Sequence, residues 1–491
     1  MTAPDASVVR GHWIGGAEVI AGEPQASVDP STGQAWIHVT QADEQTVDQA
    51  VASARSAMLG AWGHATVADR ADVLLRLSQL ILDNTYEIAE MESRDNGKAL
   101  WQTRGEVAST ARRYRSYAGV ADTIEGSSMQ LSEYRHARTI RKPLGVVAVL
   151  SPFNGPFSLT SWKVAPALAA GNAVVVKPSP LTPATPLRLA ELASEAGFPR
   201  GSLNVVHGGP DVGTRLVGHP DVRAVAFTGS TEVGRRIAAL AAQTLKRTMI
   251  EAGGKSAFIV FDDADLGRAV DSAVVSLFGG SGQSCVAASR ILVQRSVYDE
   301  FLSLMRKGME NVRLGDPFKS DTRVGPLSSA QQYERVSTFV DAARAEGREV
   351  VQADLEPDLA QCGGYYYPPT LVTGADNTAD IAQREVFGPV GVVIPFDSEA
   401  DAVAIANDTE FGLAAGVWSQ DTGRLHRIAN ELEAGTVWMN TYRAFHWTLP
   451  FGGMKQSGYG RENGLEAILE FTEVQTQVED YSPVTPAYPF T

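Results

Sequence analysis

GVVAVLSPFNGPFSLTSWKVAPALAAGNAVVVKPS, residues 145–179, decides the fold. Its two valine-rich runs, 145–150 and 173–177, are strand-sized and bounded by glycine or proline. The segment between them, 159–170, reads as helix. A strand, a crossover helix and a second strand predict a parallel sheet. The rhythm continues downstream in LNVVH (203–207), AVAFT (224–228), TMIE (248–251) and AFIVF (257–261), with a further helix-like segment at 185–196. A second alternating region spans about 291–440, with strand candidates SRILVQ, VGVVIPF, AAGVWS and GTVWMN. Upstream, residues 43–122 read mainly as helix, because ADVLLRLSQLILDNTYEIAEM repeats apolar residues at helical spacing. Residues 123–141 mix polar and β-prone residues, as an extended ribbon does, and the tail LEFTEVQTQV (469–478) alternates like an extra strand. No repeat or low-complexity linker appears, so interleaved domains of α/β class are expected.

Bulk properties narrow the function. A chain of 491 residues is too long for one small core. Its net charge of -15 argues against nucleic-acid or anionic-membrane partners. Two cysteines, Cys285 and Cys362, make no disulfide framework and suggest a reducing compartment. The opening MTAPDASVVRGHW lacks the basic and apolar regions of a secretory signal, and no apolar run is long enough to span a bilayer. The expected place is the cytoplasm.

Cys285 sits in FGGSGQSCVAAS, where Gly279, Gly280 and Gly282 permit a tight turn. Backbone N–H groups at such a turn would lower the thiol pKa, although a buried structural cysteine is the commoner case. Glu251 ends a strand-like run before Gly253 and Gly254, where open α/β sheets place ligands. It suits a general base, or equally a solvated loop. FTGSTEVG, residues 227–234, lies between a strand and a helix, so its amides can face a pyrophosphate or simply make a turn. HGGPDVG, residues 207–213, is a similar junction, read as structural, with cofactor contact as the alternative. The histidines show no zinc spacing, no metal is assigned, and the G-x-S-x-G elbow of serine hydrolases is absent.

Taken together, SPFNGPFSLTSWKVAPALAAGNAVVVKPS, FTGSTEVG, EAGGKS, GQSCVAASR, EVFGPV and PFGGMKQSGYGRE resemble the aldehyde dehydrogenase superfamily over nearly the whole chain. The resemblance implies a Rossmann-like dinucleotide-binding domain (1–122 and 142–252), an α/β catalytic domain (253–456), and an oligomerisation ribbon and tail (123–141 and 457–491). It implies oxidation of an aldehyde to an acid with NAD or NADP as cofactor, in a homodimer or homotetramer. Carried over residue by residue, Cys285 matches the nucleophile, Glu251 the general base and Asn154 the oxyanion donor, while Lys163 and Glu462 match a proton path. Pro152, Phe153, Lys177, Ser179, Pro180, Gly229, Ser230, Gly234, Glu385 and Phe387 fall at coenzyme positions. Gly155, Trp162, Arg443, Phe445 and Phe451 fall around the aldehyde tunnel; Arg443 is placed either to pair with a substrate carboxylate or to make a structural contact.

Three positions depart from the family's usual pattern. Phe153 replaces a tryptophan, Gly155 replaces a phenylalanine found in many members, and Pro180 stands where NAD-preferring members often carry glutamate. Gly155 predicts a wide tunnel, and Pro180 predicts that NADP is accepted. A CoA-acylating relative is the competing enzyme, but such members typically lack the base that Glu251 matches. A non-catalytic relative is the alternative of another class, and the intact set of Cys285, Glu251 and Asn154 speaks against it.

Overall fold

The computed structural model describes residues 8–483. The decisive segment folds as strand Val146–Leu150, helix Pro156–Ala169 and strand Ala173–Lys177. The two strands pair in parallel, with Leu150 opposite Lys177. They sit in an eight-stranded sheet with the order Gly458–Tyr459, Arg247–Glu251, Val222–Thr228, Val146–Leu150, Ala173–Lys177, Leu203–Val205, His12–Ile14, Ala17–Val19. From Val146–Leu150 the chain moves outward through two strands, then returns to the other side with Val222–Thr228. Strand order reverses there, and such a switch opens a crevice beyond the carboxyl ends of the strands. Leu150, Lys177, Thr228 and Glu251 all finish at that edge. Val147, Ala148, Val149, Val174 and Val175 are fully buried because successive residues face helices on both sides, which is why these strands are continuous apolar runs rather than alternating ones.

Helices Glu44–Leu59, Val67–Asp83, Thr85–Asn96 and Leu100–Val120 occupy the span read as helical. Thr66 and Asp69 close a reciprocal capping box at the start of the second, satisfying two amides that the first turn leaves free. The second sheet has the order Glu349–Gln352, Thr370–Thr373, Val390–Phe396, Arg290–Gln294, Ala257–Val260, Ala414–Trp418, Thr436–Met439. Only its first pair is antiparallel. Trp162, on the helix of the first sheet, packs into the core beneath the second, so the two sheets meet around this helix.

A three-stranded antiparallel ribbon joins Ser128–Ser132, Arg135–Pro143 and Thr472–Asp480, with Asp480 opposite Arg135. The stretch from 457 onward, expected to form part of the ribbon and tail, contributes Thr472–Asp480 to the ribbon. Gly458–Tyr459 instead extends the first sheet beside Arg247–Glu251, and Gly464–Glu470 is a helix. At Gly458 (φ +109°) a side chain would stand 1.9 Å from the Ile250 carbonyl oxygen, so the close approach at this edge requires glycine. Among the described residues, no helix is long and apolar enough to cross a membrane.

Candidate active site

Cys285 lies in the loop from helix Leu266–Phe278 to strand Arg290–Gln294. Gly282 shapes this loop: it has φ +69°, and a side chain there would stand 2.1 Å from the Gly388 carbonyl oxygen. Gln283 pins it, with Oε1 accepting from Ser328 N at 3.0 Å and from Ser328 Oγ at 2.9 Å. From the first sheet, Asn154 Nδ2 donates to the Gln283 carbonyl at 2.9 Å. That bond ties the turn after Val146–Leu150 to the residue two before Cys285 and uses one of two amide hydrogens. Among the described residues the Cys285 N–H meets no acceptor. One Asn154 amide hydrogen and the Cys285 N–H therefore meet no acceptor among the described residues.

Glu251 ends its strand buried, with Oε1 lacking any hydrogen-bond donor. Burial holds its carboxyl well above the usual carboxylate range; Glu462 adds to the rise, while Lys163 and Arg461 oppose it. Lys163 and Glu462 are themselves fully buried and paired, and Lys163 Nζ also donates to Thr228 Oγ1.

The thiol departs from the expectation of a lowered pKa. Burial pushes Cys285 up to about 12, Glu251 and Glu385 add to this, and Arg443 pulls the other way. No turn amide among the described residues bonds the sulfur, so carboxylate repulsion and desolvation prevail. The residue still keeps a solvent-accessible face.

At the sheet edge Lys177 is buried, with Nζ donating to the carbonyls of Pro178 at 2.8 Å and Gly208 at 2.7 Å. Desolvation lowers it to about 8. Gly208 belongs to the junction read as structural, and here it orients the lysine. Ser179 and Pro180 follow, each half-buried. Ser230 caps helix Thr231–Ala242, and the Thr231 and Glu232 amides have no acceptor among the described residues. Gly229 and Gly234 let this helix close on its strands; side chains there would lie 2.4 Å from the Phe227 ring and 3.0 Å from Ile250 Cγ2. Glu385 Oε1 accepts from Gly254 N at 3.0 Å, and burial raises its carboxyl to about 7. Phe387, at φ +60°, meets Phe153 edge-to-face with ring centroids 5.6 Å apart, next to buried Pro152.

Trp162, Phe445 and Phe451 pack edge-to-face with centroids 5.4–5.8 Å apart. Gly155 is buried, and a side chain there would stand 3.0 Å from Ser158 Oγ and 3.1 Å from Leu159 Cγ. Leu159 and Ser158, one turn along the helix, thus crowd the position a Cβ would take at Gly155. Leu159, Trp438 against Phe445 (5.4 Å) and Arg113 over the Trp162 ring (4.6 Å) carry no local motif that would single them out. Arg113 sits on a helix distant in sequence, and only the folded chain brings it there.

A family model described as "Aldehyde dehydrogenase family" matches residues 19–477. The chain is 40% identical to PnpE from Pseudomonas sp. WBC-3, covering 99% of this chain and 100% of that one at a TM-score of 0.95. Against the aldehyde dehydrogenase KauB from Pseudomonas aeruginosa the values are 38% identity, 97% and 98% coverage, and a TM-score of 0.95. The AldA indole-3-acetaldehyde dehydrogenase of P. syringae, solved with NAD+ and IAA, is 37% identical over 97% of this chain and 98% of that one, at a TM-score of 0.94.

Proposed function

This chain belongs to the aldehyde dehydrogenase family and is an NAD(P)-dependent aldehyde dehydrogenase; on that premise we propose that Cys285 is its nucleophile, Asn154 its oxyanion donor and Glu251 its hydrolytic base. The observation that carries this assignment is the bond from Asn154 to Gln283, which brings the switch point of one sheet to the cysteine loop of the other.

An aldehyde carbon must become tetrahedral before it can lose hydride. The Cys285 thiol gives its proton to solvent at its accessible face, the sulfur adds to that carbon, and the oxygen that gains charge accepts from the free Asn154 Nδ2 hydrogen and the Cys285 N–H. When bound, the nicotinamide coenzyme accepts the hydride. Collapse of the adduct leaves a thioester on Cys285. Glu251, ionised, takes a proton from water, which attacks the thioester carbon; the sulfur leaves and regains a proton. Lys163 and Glu462 hold the path by which Glu251 releases its proton.

The residues at the sheet edge fit a dinucleotide. The acceptor-free amides of Thr231 and Glu232 suit a pyrophosphate at a helix N-terminus. Lys177, whose third ammonium hydrogen is unused, suits the adenosine ribose, and Glu385 suits the nicotinamide ribose. Pro180 brings no charge that would repel a ribose phosphate, so NADP is accepted beside NAD. The fully exposed strand Ser128–Ser132 offers an edge for a neighbouring subunit, which supports a homodimer or homotetramer. Two unpaired cysteines fit the cytoplasm.

The test is direct. Purified protein is mixed with a panel of aldehydes and either coenzyme, absorbance is followed in the reduced-nicotinamide band, and the acid product is identified. Reduction in step with acid formation supports the reading, and none with any aldehyde overturns it. Acyl-CoA formation in place of acid would assign the thioester to another acceptor.

A further inference from the structure

Building on the assignment of Cys285 as nucleophile, we infer that Arg443 is a specificity-determining residue and that the physiological substrate is an aldehyde carrying a carboxylate at its far end.

Arg443 occupies an unusual place. Its φ is +55°, a region that residues with a Cβ seldom adopt. The turn is held there by Phe445 N donating to the Arg443 carbonyl at 3.0 Å and by Trp438 Nε1 donating to the Ala444 carbonyl at 3.2 Å. Disfavoured backbone of this kind concentrates at ligand clamps. The side chain reaches the nucleophile's loop: a side chain built at Gly279 would stand 3.4 Å from Arg443 Nη1. Arg443 also pulls the Cys285 thiol toward ionisation, so its charge is felt at the sulfur.

Arg443 is half-buried, and its guanidinium makes no hydrogen bond or ion pair among the described residues. Arg290, on the other side of the same sheet region, is buried with four acceptors. A guanidinium that meets no acceptor in the protein keeps its whole fork of donors, and a carboxylate can accept from it in bidentate fashion.

The surroundings select the sign of the charge. The buried Arg113 guanidinium already covers one face of Trp162, its Nε fixed by Asn463 Oδ1 at 2.9 Å. A cationic aldehyde among Trp162, Phe445 and Phe451 would face two guanidiniums. Acids also lie near the thiol, but Glu462 is paired with Lys163 and Glu385 accepts from Gly254 N, and among the described residues none of them pairs with Arg443. The aromatic group supplies the apolar wall for the carbon skeleton between aldehyde and carboxylate.

The experiment compares kcat/KM with NAD for two matched sets of probes: benzaldehyde, 4-carboxybenzaldehyde and 4-(trimethylammonio)benzaldehyde; and pentanal with glutaric semialdehyde. The carboxylate member of at least one set should lead its neutral partner by about 10-fold or more. In Arg443→Gln the carboxylate-over-neutral ratio should fall by about 10- to 100-fold, with the loss in KM, as one charge-assisted contact predicts. Arg443→Lys, which keeps the charge but not the fork, should retain part of the preference and guards against a folding failure of the first variant. Equal or better use of the neutral or cationic probes by the parent overturns the inference. So does an Arg443→Gln enzyme that is slower with every aldehyde at an unchanged ratio, the signature of a structural role. Failure of the parent to oxidise any probe removes the underlying assignment, and this substrate class with it.

Discussion

Replacing Gly254 with alanine should slow thioester formation about 100-fold while leaving the chain folded. Gly254 lies between the base and the second sheet, and its N–H donates to Glu385 Oε1 at 3.0 Å. A Cβ there would stand 2.3 Å from the Cys285 carbonyl oxygen and 3.3 Å from Leu413 Cβ. A relaxed C···O contact is roughly 3.3 Å, so about 1 Å must be found. Leu413 is buried and blocks retreat to its side, which leaves the Cys285 backbone to give way. A displacement of about 1 Å at a reacting group costs on the order of 10²-fold, or about 2.7 kcal/mol in the barrier. The assay is the stopped-flow burst of reduced coenzyme, with circular dichroism checking the fold. Gly105→Ala is the control: it is exposed in helix Leu100–Val120, has nothing within 4 Å, and should be kinetically silent and stabilising by about 0.5–1 kcal/mol. A Gly254→Ala enzyme that acylates at the parent's rate would refute the claim that close packing of these two loops positions the thiol.

Three further outcomes follow from the site. Turnover should fall as pH drops through the raised pKa of Glu251, because only its ionised form accepts a proton; in Glu251→Gln that acid limb should vanish and steady-state turnover fall by about 10²–10⁴-fold. Alkylation of Cys285 by iodoacetamide in the coenzyme-free protein should climb steadily with pH through the neutral and alkaline range, since the thiol lies near 12 and its reactive fraction grows with each step; a plateau near neutrality would contradict this. Pro180→Glu should lower kcat/KM for NADP relative to NAD, and in the parent the NADP-over-NAD ratio should decline as pH rises through about 8, where Lys177 loses its charge; a parent strict for NAD and insensitive to this substitution would remove the argument.

The central strands were legible because both faces are buried: GVVAVL and AVVVK carry no polar face to obscure them, and the glycine and proline punctuation fixed their ends. The strands at 9–40 were not read, because pieces of two or three residues such as His12–Ile14 have too few positions to show a period. The pairing of Gly458–Tyr459 with the first sheet was not legible, because this short strand is defined by what it approaches and not by its own composition. At the site, the residues proposed to act lie in short local runs, so each motif was legible by itself, while their mutual distances were not. The raised thiol pKa was missed because it depends on burial first, and then on Glu251 and Glu385, all of which meet at Cys285 only in three dimensions. Leu159 beside Gly155 was missed for a related reason: one helical turn, not sequence adjacency, brings it against that position.

The account stands most directly on where the acyl group resides when hydrolysis is slowed. The Glu251→Gln enzyme, mixed with a good aldehyde and NAD, is quenched with acid during the burst, digested, and analysed by mass spectrometry. The account predicts one acyl equivalent on the peptide containing Cys285, formed in step with reduced coenzyme, and none on the peptide containing Cys362. Coenzyme reduction with no acylated Cys285 peptide, or acylation at another residue, would contradict it.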